Sequence, residues 1–172
     1  VGSEMCIRDS YYALGSLAGH KNFKWVREVA ARNPDKTFVV AGGKDLAAFG
    51  SAEADAAQNT SNIFYPGYVT DGQNKALMQN CKGFLHPAVF EGFGIPPLEA
   101  LSLGAPIALA RASCLPELYG DTARYFDPYD YDVDLDALFA KPVAPPDKVL
   151  AKYSWEKTAR FWLDEIKKCA EA

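Results

Sequence analysis

The sequence predicts a doubly wound α/β domain, in which a mostly parallel, six-stranded sheet carries helices on both faces. Short apolar runs, rich in β-branched or aromatic residues and bounded by Gly, Pro or Asp, recur along the chain and are typical of buried strands. Stretches with helical spacing separate these runs, and strands that alternate with helices form parallel sheets. The predicted strands are residues 11–14, 37–41, 63–65, 83–86, 107–110 and 124–126.

The helical stretches are identified by apolar residues that recur on one face. We predict Asp71 as the cap of the second helical stretch, whose apolar stripe is shorter than that of the first. The two stripes consist of Phe23, Val26, Val29 and Ala30 in the first stretch, and of Ala76, Leu77 and Cys81 in the second.

The C-terminal tail predicts a further amphipathic helix. Its apolar face contains two tryptophans, which need a large surface to bury them. The favoured interpretation is that this face packs on the same domain, and the alternative is that it docks on a second domain. The face consists of Trp155, Ala159, Trp162, Leu163 and Ile166.

Residues 1–10 fit no part of this pattern, because they contain neither a periodic apolar stripe nor the apolar region of a signal peptide. We interpret them as a scar of cloning or sequence assembly, with a native linker from a preceding domain as the alternative. A chain of 172 residues is long enough for one full-sized core and too short for two. We therefore expect one domain over residues 11–172.

Composition excludes several classes of function. The formal net charge is -4 and no run of Lys or Arg is present, which argues against nucleic acid and anionic membrane surfaces as partners. No stretch approaches the roughly 20 apolar residues that span a bilayer. The four cysteines are scattered, without a CxxC pair, which argues against a zinc site or disulfide framework and indicates a reducing compartment such as the cytoplasm.

In a doubly wound sheet, ligands bind outside the carboxyl ends of the strands, so the loops after the strands are the candidate sites. The strongest candidate follows the fourth predicted strand. Pro96 and Pro97 predict that a helix begins there, and Gly104 fits its C-terminal cap. Gly92 and Gly94 allow the backbone to approach a ligand closely. Amide groups at this helix start, with the positive end of the helix dipole, would suit a diphosphate.

Two carboxylates belong to this loop and helix. Glu99 is predicted in the first helical turn, facing the crevice, where it could accept hydrogen bonds from a diol such as ribose, each worth about 1.5–3 kcal/mol. The alternative is that it only complements the helix N-terminus. Glu91, on the loop, could hold hydroxyls of a sugar, and its alternative is a solvated loop acid.

Two further loops are weaker candidates. After the first strand, Lys21 lies at a strand-to-helix turn, where its charge could neutralise a diphosphate, although a lysine in this position is commonly a surface residue. After the third strand, residues 65–71 could contact a ligand or form an ordinary turn. Gly42 and Gly43, after the second strand, could serve only tight packing.

The spacing Glu91-x7-Glu99 around Gly-Phe-Gly-Ile-Pro resembles the signature of the family-4 (group 1) retaining glycosyltransferases of GT-B fold. Gly15-x5-Lys21-Asn22 resembles a second pattern of that family, and the resemblance extends from residue 11 to about residue 167. It implies two Rossmann-like domains with the active site between them. The present chain would be the C-terminal, nucleotide-sugar-binding domain with its C-terminal helix.

The resemblance also implies residue roles. Lys21 and Glu91 would be the catalytic pair, with Lys21 on the donor phosphates and Glu91 on the donor sugar. Glu99 would hold the ribose. His20 stands where many members carry an Arg, so it could supply a donor or leave phosphate binding weaker. The remaining binding positions are Gly15 beside the phosphates, Val69 in the loop that holds the base, and the amides of Phe93, Gly94 and Ile95 beside sugar and phosphate.

The implied function is transfer of a hexosyl group, with retention, from a nucleoside-diphosphate sugar such as GDP-mannose or a UDP-sugar to a glycan or lipid-linked acceptor. No metal is expected, because the lysine and the helix dipole would carry the charge of the leaving group. The N-terminal acceptor domain is missing, so the fragment alone is expected to be inactive. We expect cytoplasmic localisation, with peripheral membrane association of the full-length enzyme left open. The alternatives are a non-catalytic nucleotide-sugar-binding module and an epimerase-like domain.

Two other features are set aside. The acidic run over residues 127–136 lacks the glycine and terminal glutamate of a calcium loop and is interpreted as solvated. His86, which precedes Pro87 at a strand end, is interpreted as structural rather than catalytic.

Overall fold

The computed structural model describes residues 7–16, 18–42 and 61–171. Within them, six parallel strands form one sheet in the order β3-β2-β1-β4-β5-β6. The predicted doubly wound α/β fold is therefore confirmed. The strands are β1 (Ser10–Leu14), β2 (Thr37–Ala41), β3 (Ile63–Gly67), β4 (Gly83–His86), β5 (Ile107–Ala110) and β6 (Arg124–Phe126).

Four of the six strands have the predicted bounds, and two are longer. β1 begins at Ser10, which the sequence analysis excluded together with residues 1–9. Ser10 is buried, pairs in register with Thr37, and accepts a hydrogen bond from the backbone of Lys82 through its carbonyl oxygen. The prediction that the fold begins at residue 11 is thus wrong by one residue. A 3₁₀ turn, Ile7–Asp9, precedes the strand, and residues 1–6 lie outside the described part.

Helices connect the strands. Two short 3₁₀ helices, Gly19–Lys21 and Gly120–Thr122, precede α1 and β6. The α-helices are α1 (Phe23–Arg32), α2 (Asp71–Asn80), α3 (Ile95–Ser102), α4 (Leu115–Tyr119), α5 (Leu135–Ala140), α6 (Asp147–Lys152) and α7 (Trp155–Glu171).

The strand order creates a switch point between β1 and β4. From β1 the sheet grows through β2 to β3 on one side, and through β4 to β5 and β6 on the other. The loops that leave the carboxyl ends of β1 and β4 therefore diverge and leave a crevice between them, which is where ligands bind in sheets of this kind.

The core lies on both faces of the central strands. All residues of β4 and β5 are buried, as is the predicted stripe of α1. Trp25, which was not in that stripe, is also fully buried; its ring stacks on Phe126 with centroids 3.9 Å apart, and its Nε1 donates to the carbonyl of Asp130 at 2.7 Å. This tryptophan joins α1 to β6 and the loop after it.

The second predicted helix begins differently from the prediction. Thr70, not Asp71, is the N-cap of α2, and it forms a capping box with Gln73. Thr70 has the extended backbone of an N-cap, and its hydroxyl accepts a hydrogen bond from the backbone N–H of Gln73, so the cap lies one residue before the predicted one. Ala76 of the predicted stripe is exposed, and Met78 is the residue that α2 buries.

The C-terminal helix α7 does not pack on this domain, so the favoured interpretation of its apolar face is wrong. Trp155 is 83% exposed, and Trp162, Leu163 and Ile166 are also exposed. Across the described ranges, we find no helix with the length and apolar character that crossing a bilayer demands.

Candidate active site

The loop after β1 is tied to the loops after β4 and β6. Asn22, between the 3₁₀ turn Gly19–Lys21 and α1, adopts a left-handed conformation (φ 53°). Its Nδ2 donates to the carbonyl oxygens of Pro87 at 3.2 Å and Pro128 at 3.0 Å. The backbone N–H of Val89 donates to the carbonyl of His20 at 2.9 Å. These bonds present Lys21 to the loop that follows β4.

Lys21 and Glu91 meet across the switch point. Lys21 Nζ lies 2.5 Å from Glu91 Oε1, and His86 Nε2 lies 2.9 Å from the same oxygen. The exposed fractions of the three side chains are 18% for Lys21, 11% for Glu91 and 2% for His86. The structure thus brings together the two predicted catalytic residues and adds His86, which the sequence analysis set aside as structural.

The environment of Glu91 favours its anionic form. The hydrogen bond with His86, and then the bond and charge of Lys21, outweigh the opposing effect of burial and lower the pKa of Glu91 from 4.5 to about 2. Glu91 is therefore a carboxylate at neutral pH. An anion in this position can accept hydrogen bonds from sugar hydroxyls.

The backbone of Glu91 is held by the loop after β5. Ser113, itself left-handed (φ 52°), donates through Oγ to the carbonyl of Glu91 at 2.9 Å and accepts from its N–H at 3.3 Å. Cys114 Sγ donates to the same carbonyl at 3.2 Å. Glu91 is thus a fixed, largely shielded group, and the alternative of a solvated loop acid is wrong.

The helix after this loop begins at Ile95, one residue before the predicted start at Pro96. Gly94 is the N-cap of α3 with φ 80°, and Ile95 is its first residue. The Tyr119 hydroxyl donates to the Gly94 carbonyl at 2.6 Å. Because Pro96 and Pro97 lack N–H groups, Ile95 is the one residue among the first three of α3 that has an amide donor, which supports the assignment of Phe93, Gly94 and Ile95 as the amide-bearing positions.

Glu99 is the fifth residue of α3, so its predicted place in the first helical turn is wrong. The helix begins at Ile95, before the prolines, which moves Glu99 into the second turn and away from the helix N-terminus. Burial and the negative charge of Asp71 raise the pKa of Glu99. Together with Phe93 and Ile95, it lines a cavity of about 590 Å³ that Tyr153 borders on the other side. This cavity does not include Lys21 or Glu91 in its lining.

Of the other predicted positions, Gly15 lies beside Lys21, since a side-chain carbon on this glycine would be 3.8 Å from Lys21 Cδ. Val69 packs partly against the core after β3, at the edge of the sheet, three strand spacings or ~14 Å from β4. His20 is exposed. A side chain on Gly42 would overlap the carbonyl oxygen of Gly15, so tight packing explains this glycine. Gly43 lies outside the described residues.

The acidic run over residues 127–136 serves turns, a helix cap and ion pairs. Asp127 and Asp130 accept from backbone amides two residues later, and Asp134 caps α5. Asp136 bonds Lys36 at 2.6 Å and Lys82 at 2.7 Å, and these lysines lower its pKa to about 2. In the described ranges, no three His, Cys, Asp or Glu side chains are grouped so that they could hold a metal ion.

Sequence reasoning gave no role in the site to three residues that the structure places there: Asn22 and Ser113 were assigned none, and His86 was interpreted as structural. Each lies in a loop or strand end at the carboxyl edge of the sheet, and that position is the signal that could have identified them. Each of them contacts a residue at least five positions away in the chain, and a local sequence pattern does not predict such contacts.

Comparison with known proteins agrees with this geometry. Residues 10–137 match the family model described as "Glycosyl transferases group 1". The chain belongs to this family. The resemblance stated from Glu91, Glu99 and Lys21 is therefore confirmed at the level of the family.

Relatives of this group 1 glycosyltransferase chain include mannosyltransferases. It is 33% identical over 113 residues to the serotype-specific mannosyltransferase WbdA of Escherichia coli, covering 60% of this chain and 14% of that protein. It is 41% identical over 70 residues to O-antigen chain mannosyltransferase B of Escherichia coli, covering 41% and 18%. The matched regions thus span less than a fifth of these relatives.

Solved structures share the fold. Sucrose-phosphate synthase from Thermosynechococcus elongatus superimposes with a TM-score of 0.77 at 17% identity, covering 96% of this chain and 46% of that one. The catalytic domain of starch synthase IV from Arabidopsis thaliana, bound to ADP and acarbose, superimposes with a TM-score of 0.68 at 14% identity, covering 100% and 40%. These similarities confirm the Rossmann-like architecture of the group 1 glycosyltransferase chain.

Proposed function

We propose that this chain is the donor-binding, C-terminal half of a retaining glycosyltransferase that uses a nucleoside-diphosphate sugar. The observation that supports the proposal most directly is the meeting of Lys21 and Glu91 at the switch point between β1 and β4. Ligands of doubly wound sheets bind at this place, and the two side chains offer the cation and the anion that a charged diphosphate and a hydroxylated sugar require.

In the proposed reaction, the bond between the anomeric carbon and the diphosphate oxygen breaks, and the acceptor oxygen forms a new bond on the same face. Lys21 neutralises the charge that develops on the departing diphosphate. The acceptor hydroxyl gives its proton to a diphosphate oxygen, so the reaction needs no general base from this chain. Glu91 holds hydroxyls of the donor sugar during the transfer.

The remaining residues bind the nucleotide in this proposal. Glu99 holds the ribose diol, and the amides of Phe93, Gly94 and Ile95 contact the sugar and phosphates. Val69 belongs to the segment beside the base. Gly15 lets the diphosphate approach the end of β1, and His20 supplies a donor at the rim.

The substrates follow from the relatives by analogy. Because several are named mannosyltransferases, we propose a hexosyl donor of the GDP-mannose type and an acceptor in the assembly of a polysaccharide, either a glycan or a lipid-linked sugar. A preceding acceptor domain would complete the cleft, no metal would be required, and the enzyme would act in the cytoplasm, with peripheral association to the membrane left open.

Calorimetric titration with GDP, UDP and ADP tests the proposal. We expect Lys21→Ala to weaken diphosphate binding by about 10-fold or more, because a charge-assisted hydrogen bond contributes roughly 1.5–3 kcal/mol. Glu99→Ala should weaken binding through the ribose. Lys24→Ala and Glu117→Ala, which remove exposed charges of the same signs, are the matched controls. Equal affinity of wild type, Lys21→Ala and Glu99→Ala would contradict the proposed site.

A further inference from the structure

His86 is held rigidly at the end of β4. It is the last residue of a strand that is buried throughout, its side chain is 2% exposed, and its ring lies parallel to that of Phe84, with centroids 6.4 Å apart. Its Nε2 points at Glu91 Oε1 from 2.9 Å. A histidine in these surroundings has little freedom to leave its partner.

Lys21 shares the same oxygen of Glu91 but is held differently. Its ammonium group ends a flexible four-carbon stem, and its side chain is 18% exposed. In the proposed function, Lys21 must contact the donor diphosphate. A diphosphate carries more negative charge than one carboxylate, so it competes with Glu91 for this lysine. When Lys21 turns to the diphosphate, Glu91 loses one of its two side-chain partners.

We propose that His86 is a positioning residue, which keeps the Glu91 carboxylate directed at the donor hexose after Lys21 has moved to the diphosphate. The inference depends on the proposed function. The imidazole donates to Oε1 in each form that carries a proton on Nε2. Since both His86 and Lys21 use Oε1, the other oxygen, Oε2, is the one that a sugar hydroxyl would meet.

The inference separates the hexose from the rest of the donor. His86→Leu removes the hydrogen-bond donor to Glu91 and places an apolar side chain in the buried position. His86→Gln retains an amide N–H close to where Nε2 stands, so it should restore the contact. Ser10→Ala changes a buried polar residue at the opposite, amino end of the sheet and serves as the matched control.

Binding of GDP and of GDP-mannose, with UDP and UDP-glucose in parallel, is measured for each variant by calorimetry. We expect His86→Leu to weaken binding of the nucleotide sugar by about fivefold or more, the factor that corresponds to one net hydrogen bond of ~1 kcal/mol, and to change binding of the nucleoside diphosphate by less than twofold. His86→Gln and Ser10→Ala should bind both ligands within twofold of wild type.

A second measurement reports the contact itself. Titration of the Glu91 carboxyl, followed by carbon NMR, should show its pKa raised in His86→Leu and returned toward the wild-type value in His86→Gln, because the bond with His86 is the largest cause of the lowered pKa. If His86→Leu does not fold, His86→Asn, whose shorter amide stops short of Oε1, takes its place.

Two results would overturn the inference: an equal factor of weakening for GDP and GDP-mannose in His86→Leu, or a Glu91 pKa that this substitution leaves unchanged. A wild-type chain that binds no nucleoside diphosphate would instead contradict the proposed function and, with it, the inference. The two failures are therefore distinguishable.

Discussion

At the residue scale, Lys21 and Glu91 neutralise each other although 70 positions separate them in the chain. The side chain that would bind the diphosphate is thus engaged by the side chain that would bind the sugar. When a nucleotide-sugar donor binds in the proposed way, its diphosphate replaces the Glu91 carboxylate as the partner of Lys21. In the proposed function, Glu91 therefore weakens binding of the diphosphate, because it competes for Lys21, and strengthens binding of the sugar.

Replacing Glu91 by Gln should therefore tighten the binding of GDP alone. The substitution removes the competing anion and a negative charge close to the phosphates, and we expect an increase in affinity of about two- to tenfold, as for a partly shielded ion pair. Isothermal titration with GDP checks this, with Glu117→Gln as a control of the same chemistry on an exposed residue. Weaker binding of GDP by Glu91→Gln would contradict the competition.

The contacts of Glu91 with His86 and then with Lys21 also make stability depend on pH. The pKa of Glu91 lies at about 2 in the folded protein, below its ordinary value of 4.5, so the stabilisation is fully present above pH 4.5 and is lost as the pH falls through 2. Asp136, whose pKa is also about 2, contributes in nearly the same window. Urea denaturation between pH 6 and 2 should show that the free energy of unfolding depends less steeply on pH for Glu91→Gln than for wild type. Asp136→Asn should remove the part of this pH dependence that Asp136 contributes. Parallel curves for Glu91→Gln and wild type would refute the assignment.

At the element scale, α3 depends on a glycine at each end. Gly94 and Gly104 have nearly the same backbone conformation, with φ of 80° and 81°. They differ in their surroundings, because a side-chain carbon on Gly94 would lie 2.9 Å from Leu115 Cδ2, whereas one on Gly104 would meet nothing within 4 Å. The first glycine is thus required by both conformation and packing, the second by conformation alone.

Alanine substitutions should separate these two requirements. Gly104→Ala is expected to destabilise the fold by about 1–2 kcal/mol, the cost of a left-handed L-residue. Gly94→Ala should cost roughly 1–3 kcal/mol more, because the buried Leu115 has to shift. Chemical denaturation of both variants measures the difference. Equal losses would show that packing around Gly94 contributes nothing.

The tryptophans of α1 and α7 offer a second contrast between elements. Trp25→Ala should destabilise the protein by about 3–5 kcal/mol, because it empties a fully buried position and removes the stacking on Phe126. Trp162→Ser, on the exposed face of α7, should change stability by less than about 0.5 kcal/mol. Denaturation monitored by circular dichroism tests both, and a large loss for Trp162→Ser would mean that α7 packs on this domain after all.

At the scale of the whole molecule, Lys21 and Glu91 lie at the crevice between the carboxyl ends of β1 and β4, and the apolar face of α7 is exposed. In the proposed function, a second domain supplies the opposite wall, which orients the acceptor and excludes water.

We therefore expect the 172-residue chain to bind nucleoside diphosphates without catalysing transfer. Release of GDP from GDP-mannose, or of UDP from UDP-glucose, in the presence of simple glycan acceptors should not exceed the rate seen with Lys21→Ala. Turnover by the wild-type chain that Lys21→Ala abolishes would show that the second domain is not needed.

Local sequence patterns predicted most of the fold. The strands at 37–41, 83–86, 107–110 and 124–126 have the predicted bounds, because each is a short apolar run between residues that break strands. The start of α3 was predictable to within one residue. These signals act within a few residues, so no knowledge of the remaining chain was needed. The capping box of Thr70 and Gln73 is equally local, but the prediction placed the cap of α2 one residue later, at Asp71.

The sequence by itself singled out Lys21, Glu91 and Glu99 as candidate site residues, from their spacing and motif. Only the tertiary structure decided how they pair. Lys21 meets Glu91 because β1 lies beside β4, a strand order set by packing over the whole sheet rather than by either loop. The exposure of α7 was decided in the same way, because an apolar face specifies that a partner surface is needed but not where that surface lies.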